Sequence, residues 1–252
     1  MRFDERIPEE LIKEGHYLGR PADFEDKIVH RRVELVKNIP GFLNKNVQLL
    51  DIGCGNGASL FLLANEFQFL QGIEMETSHQ AEFENYKSKN KIENVGFKLL
   101  NIETEKLENK FDRLINFEVI EHLSDDKNVC KFAECLNENA LAAFTVPNKW
   151  WIFETHGANL PLLPWNRVPF FSWLPTIIHE KFSYARIYTK TRIRKVLEEG
   201  GFEILSMDYV TAPLDIIKEG KLKRFLVKYI FKGNTTRIPF LSTAIFIVAR
   251  KK

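Results

Sequence analysis

Apolar positions along this chain fall into short blocks whose spacing switches between two periods, and the switches mark out its elements. Leu49, Leu50 and Ile52 make a compact apolar run that stops at Gly53, which predicts a buried strand. Phe69 to Met75, Val95 to Leu100, Phe111 to Phe117 and Ala140 to Val146 read the same way, as do a strand beginning at Phe202 and a last one from Leu241 to Arg250. Between them the period lengthens. Ile28, Val29, Val33 and Val36 put one apolar face on a helix over 22–38, behind Pro21, a favourable first-turn residue. Ile193, Val196 and Leu197 do so on a helix that ends at Gly200-Gly201. Strands alternating with helices predict a largely parallel sheet covered on both faces.

Two stretches obey neither period. Just past Asn148 lie all four tryptophans, Trp150, Trp151, Trp165 and Trp173, among Pro147, Pro161, Pro164, Pro169 and Pro175. Proline at that density predicts an insertion without a strand or a long helix, with the next helix starting near Thr189. Leaving the carboxyl end of a strand, it is expected to lie over the cleft at that edge of the sheet and act as its lid. The second stretch, 213–240, carries Lys218, Lys221, Lys223, Arg224, Lys228, Lys232 and Arg237 against Asp215 and Glu219, interleaved with Phe225, Leu226, Tyr229, Ile230 and Phe231. It suits an amphipathic helix at a membrane surface, with tryptophans as interfacial anchors, or a basic-aromatic surface for single-stranded RNA, or a solvated helix packed on its apolar side.

Composition narrows the class. At 252 residues and 44% hydrophobic the chain can bury one core and need not be divided. Three cysteines, an odd number, point to a reducing compartment. The first residues lack the apolar stretch of a signal peptide, and no apolar run spans a bilayer, so a cytoplasmic protein is expected, with peripheral membrane contact as an addition. A net charge of +2 gives no electrostatic case for nucleic acid.

The chemistry gathers at Asp51-Ile52-Gly53-Cys54-Gly55-Asn56-Gly57. Glycines there let the backbone turn sharply and lie bare against a ligand, and Glu74, at the end of the next strand, stands where a carboxylate accepts both hydroxyls of a ribose. Gly53-x-Gly55-x-x-Ala58 also satisfies the loose dinucleotide fingerprint, but Asp51 favours a cationic ligand over a pyrophosphate. This string resembles motif I of class I S-adenosylmethionine-dependent methyltransferases, and the later blocks follow in the order of that family: Asn101-Ile102, Phe111-Asp112, Glu118-Val119-Ile120-Glu121-His122-Leu123 and Pro147-Asn148.

The resemblance implies a Rossmann-like three-layer α/β sandwich, with a seven-stranded, mostly parallel sheet and an antiparallel last strand. It implies one domain over 1–252, with 1–44 as an amino-terminal helical cap, 148–188 as the lid insertion and 213–240 as a basic excursion. S-adenosylmethionine is the implied methyl donor, held by Asp51, Gly53, Cys54, Gly55, Glu74, Met75, Asn101, Ile102 and Phe117, with Arg20, Arg31 or Arg32 available to its carboxylate.

Two readings of the segment after the fourth strand stay open. In one, His122 is a general base with Glu118 or Glu121 orienting it. In the other, Glu118-x-x-Glu121-His122 binds a divalent cation, as in certain small-RNA 2′-O-methyltransferases and quinone-pathway O-methyltransferases that the pentapeptide resembles; His156 or His179 would then supply the further histidine, though neither aligns. The metal-free reading is adopted, with His122 and Glu121 as catalytic residues. The expected reaction is O-methylation of a small or lipid-linked apolar acceptor, with an RNA ribose as the alternative. Beside these stand a cofactor-binding module without turnover and a nucleotide-dependent oxidoreductase.

Overall fold

A computed structural model of the chain describes residues 24–158, 168–214, 218 and 220–252. Its centre is one eight-stranded sheet in the order β3-β2-β1-β4-β5-β8-β6-β7. The strands are β1 (Asn44–Ile52), β2 (Phe67–Glu74), β3 (Val95–Leu99), β4 (Phe111–Phe117), β5 (Leu136–Pro147), β6 (Phe202–Thr211), β7 (Thr235–Thr236) and β8 (Ser242–Lys251). β1 to β5 pair in parallel, whereas β8 runs antiparallel to both β5 and β6. The expected antiparallel last strand is there, and the count differs by one. The additional strand is β7, two residues of the basic excursion that pair with Tyr209 and Val210 at the sheet edge.

Helices cover both faces because the strands are apolar on both. Along β8, Ile245, Ile247 and Ala249 enter one buried cluster and Ala244, Phe246 and Val248 the other, the alternation that a pleated strand imposes. The first cluster takes Ile193 and Leu197 of α6 (Lys190–Glu199) and Phe132 of α4 (Cys130–Glu134). The second takes Val33 and Val36 of α1 (Lys27–Lys37), Leu60 and Leu63 of α2 (Ala58–Leu63) and Phe83 of α3 (Ser78–Lys89). Each of these fully buried side chains is worth about 1.5 to 3 kcal/mol relative to exposure. The helix foreseen over 22–38 is therefore present from Lys27, with Val29, Val33 and Val36 as its buried face; Pro21 and Arg20 lie outside the described residues.

The insertion departs from expectation. It contains a helix, α5 (Thr176–Phe182), before α6, preceded by Pro175 at its N-cap. The prolines break periodicity ahead of α5, and Pro175 sits where proline suits the entry to a helix rather than ending one. Within 213–240 the basic segment forms α7 (Lys221–Tyr229). Leu226 and Phe231 pack against Trp151, Ala212 and Leu214, so the insertion and the excursion share a small apolar cluster of their own. Trp165 lies outside the described residues.

Candidate functional site

The strand order reverses where β1 lies between β2 and β4, and at such a point the carboxyl ends of an open α/β sheet part into a crevice. Here it is an open cavity of about 360 Å³. Every residue expected at the methyl donor lines it: Asp51, Gly53, Cys54 and Gly55 after β1, Glu74 and Met75 at the end of β2, Asn101 and Ile102 after β3, and Phe117 ending β4.

The glycines divide by role. Gly53, Gly55 and Gly57 all take positive φ, at 75°, 52° and 82°. A Cβ on Gly53 would stand 2.3 Å from Val119 Cγ2, and one on Gly57 2.5 Å from the Phe83 ring, so these two are required by the fold itself. A Cβ on Gly55 meets nothing within 4 Å, because it would project into open space. Gly55 is thus the glycine of this turn whose backbone lies open beside the cavity.

Glu74 is held by the same turn. Its Oε2 accepts from Gly55 N–H at 2.9 Å, and its Oε1 accepts from Met75 N–H at 2.7 Å and Glu76 N–H at 3.1 Å. These donors fix the carboxylate at the rim, and Oε2, with one donor, keeps acceptor capacity for a hydroxyl. Asp51 is 3% exposed, and burial, reinforced by the Glu74 charge, pushes its carboxyl well above the usual range. A cationic ligand relieves that crowding. Burial and the same two carboxylates raise the Cys54 thiol as well, so Cys54 is an unreactive wall residue. Asn101 Oδ1 accepts from Glu103 N–H at 3.0 Å, which shapes the turn after β3.

Of the amino-terminal arginines among the described residues, Arg32 reaches the cavity. Its guanidinium stands 3.2 Å from Glu118 and over the Phe117 ring. Arg31 turns away and donates to the Thr211 carbonyl.

The expected catalytic pair separates in depth. His122 lines the cavity, whereas Glu121 is fully buried behind it and does not. The chain reaches this arrangement through Glu118, whose φ of 58° swings it from β4 into a short 3-10 turn, Ile120–His122. His156 comes back from the insertion, joins the cavity wall and places Nε2 3.4 Å from Glu121 Oε1. Glu121, His122 and His156 present ligand atoms that all lie within 4.8 Å of one another. His179, the other histidine weighed, pairs instead with Glu154 at 2.5 Å inside the insertion. Glu154 also accepts from His156 N–H at 3.0 Å, so the buried pair supports the loop that carries His156.

The charges in this cluster are strongly biased. Burial and the Glu118 charge, opposed by His156, raise Glu121 to about 7. Burial alone would lower His156, but the hydrogen bond to Glu121 and the charges of Glu121, Glu118 and Glu154 raise it to about 9. Burial, with the neighbouring His156 and Arg186 cations, depresses His122 to about 3 and keeps it neutral. Its Nε2 is buried without a hydrogen-bond partner.

Arg186 escaped the sequence reading. It is 9% exposed and donates to the carbonyls of Leu123 and of Ser124, the latter at 2.8 Å, tying the end of the insertion to the turn that bears His122. No period or motif marks it. Among the described residues the insertion gives the cavity wall His156, while Trp151 is buried against Ala212 and Leu214, and Trp150 and Trp173 contact Phe240.

Known proteins share this frame. A ubiquinone biosynthesis O-methyltransferase of Pelagibacter ubique (strain HTCC1062) is 29% identical over 144 residues, covering 55% of this chain and 56% of that protein. The chain thus matches little more than half the length of that relative. A S-adenosylmethionine-dependent methyltransferase from Clostridium acetobutylicum superposes with a TM-score of 0.61 at 13% identity, over 96% of this chain and 95% of the other. Coclaurine N-methyltransferase, solved with N-methylheliamine and S-adenosylhomocysteine, gives 0.58 at 15% identity, over 89% and 72%. The family described as "Methyltransferase domain" matches residues 43–215, from the start of β1 past the end of β6. With that family match laid over the crevice where the strand order reverses, the chain belongs to the methyltransferase-domain family.

Proposed function

We propose that the enzyme methylates a hydroxyl oxygen of a small apolar acceptor, free or lipid-linked, by direct in-line transfer. One observation carries this reading. His122 lines the same cavity as Gly55 and Glu74, and its neutral ring carries a buried Nε2 that has no hydrogen-bond partner. An unpaired buried acceptor costs about 1 to 3 kcal/mol, which a hydroxyl donating to it recovers.

S-adenosylmethionine supplies an electrophilic methyl group; the rest is the work of the chain. The Gly53–Gly57 turn and Glu74 hold the donor end of the cavity, and Asp51 favours positive charge there. His122 Nε2 accepts the hydrogen bond of the acceptor hydroxyl and aims its oxygen lone pair. The proton released as the carbon–oxygen bond forms passes through His122 to Glu121, whose proton affinity near neutrality suits it to hold a proton at working pH. His156 and Arg186 fix this cluster from the insertion side. Val29, Ile102, Phe117, Val119 and Leu123 give the wall its apolar character. The similarity to a ubiquinone biosynthesis O-methyltransferase supports an oxygen acceptor.

A second reading rests on the convergence of Glu121, His122 and His156. Their donor set, one carboxylate and two imidazoles, fits a divalent cation. These three residues would hold the ion, which would polarise the acceptor hydroxyl. Turnover of a phenolic acceptor with and without chelator separates the readings: unchanged turnover in chelator, with loss in His122→Ala, upholds the base, and loss in chelator upholds the metal.

A further inference from the structure

The structure leaves α7 with an apolar edge that no described element covers. Leu222, Phe225 and Tyr229 recur at spacings of three and four residues, which stacks them on one side of the helix. They are 66%, 54% and 57% exposed. Phe225 and Tyr229 touch each other, with ring centroids 5.0 Å apart. At 100° per residue, Leu226 falls on the adjoining inner side, and it does pack on the Trp151 cluster. Lys221, Arg224 and Lys228 fall on the opposite flank of the stripe, all three exposed, and no acidic residue lies within the helix. Ile230, just past the helix, extends the apolar edge at 43% exposure. Burying such an edge in water-facing protein requires a partner that is apolar beneath and anionic above.

We propose that α7 is a docking element for an anionic lipid surface. Leu222, Phe225 and Tyr229 enter the boundary between headgroups and acyl chains, and Lys221, Arg224 and Lys228 meet the headgroup phosphates. An RNA groove suits the charges but leaves Leu222 exposed, since stacking uses rings; a lipid surface accommodates all six residues. The helix hangs from the β6–β8 connection, and its inner side rests on the insertion that carries His156, so docking brings the cavity's insertion side to the membrane. This deepens the reading of an apolar, lipid-linked acceptor and rests on it for its purpose; vesicle binding itself is read without turnover, so the two can fail separately.

The test uses the full chain in cosedimentation with phosphatidylcholine vesicles, with and without phosphatidylglycerol. Binding is expected on the anionic vesicles, at least tenfold weaker on the zwitterionic ones, and reduced by salt. Changing Lys221, Arg224 and Lys228 together to Glu should weaken it on the order of a hundredfold. Changing Leu222, Phe225 and Tyr229 together to Ser should abolish it even at low salt. S-adenosylhomocysteine affinity should be unchanged in both variants, which establishes that they remain folded. No binding of the folded parent to anionic vesicles at low salt overturns the proposal, as does undiminished binding by the triple Ser variant. Tight binding to single-stranded RNA without vesicle binding overturns it in favour of a nucleic-acid surface.

Discussion

His156 Nε2 stands 3.4 Å from Glu121 Oε1, joining the insertion after β5 to the turn after β4 across the wall of the cavity. The contact brings the insertion to the cavity wall. It also gives the cluster a measurable signature, because the two groups hold protons at pH values where neither would in the unfolded chain.

The stability of the fold should therefore fall with rising pH through one defined window. His156 moves from an ordinary value of 6.5 to about 9 on folding. Its contribution is fully present below 6.5 and is lost as pH rises through 9, about 3 kcal/mol in total. Urea denaturation of the wild type between pH 6 and pH 9.5 should show this loss. His156→Gln should flatten the slope in that window, and an identical slope in the variant would mean that His156 carries no such proton.

Activity should move the opposite way. Glu121 is raised from 4.5 to about 7, and the carboxylate is the form that accepts a proton. Turnover of a hydroxyl acceptor is expected to rise tenfold per pH unit below 7 and to level above it. Glu121→Gln should lose most of the rate and the dependence together. Stopped assays across pH 5.5 to 8.5, with saturating donor, check this.

At the donor end, Gly55→Asn places a side chain into the cavity while tolerating the left-handed backbone, and Glu74→Ala removes the rim carboxylate. Each should cost about 2 to 4 kcal/mol of S-adenosylhomocysteine binding in calorimetric titration. Gly53→Ala behaves differently, since its Cβ meets Val119: melting temperature should drop before affinity can be read. Equal affinity in wild type, Gly55→Asn and Glu74→Ala would remove the donor assignment.

The buried Glu154–His179 pair supports the His156 loop and should show the asymmetry of buried ions. Burial opposes the Glu154 charge, yet the hydrogen bond and charge of His179 hold its carboxyl below the usual range. His179→Leu strands that carboxylate and is expected to cost about 3 to 5 kcal/mol, whereas His179→Leu with Glu154→Leu should recover most of it. Denaturation of the two variants gives the comparison.

How much of this was legible in the sequence follows from whether a feature is local. The strands, the glycine turn and Glu74 are set by neighbours in the chain, and Phe111–Phe117 and the start at Phe202 fall where the apolar blocks put them. Asp51 and Asn101 took their places for the same reason. His156 and Arg186 act across the fold: one reaches Glu121 and the other the carbonyls of Leu123 and Ser124 through a proline-rich path whose course no periodicity encodes. The partners of the described tryptophans were hidden for a related reason. Trp151 packs on Ala212 and Leu214, and Trp150 and Trp173 contact Phe240, positions distant in sequence. The two-residue β7 was invisible because a pair at a sheet edge needs no pattern of its own.

The central claim, transfer of a methyl group to an oxygen aimed by His122, is tested most directly with isotopically methyl-labelled S-adenosylmethionine, a panel of apolar hydroxyl acceptors, and mass spectrometry of the products. The account expects the label on oxygen, formed by the wild type and reduced at least a hundredfold in His122→Ala with S-adenosylhomocysteine affinity intact. Label on nitrogen or carbon alone, or transfer undiminished in His122→Ala, would contradict it.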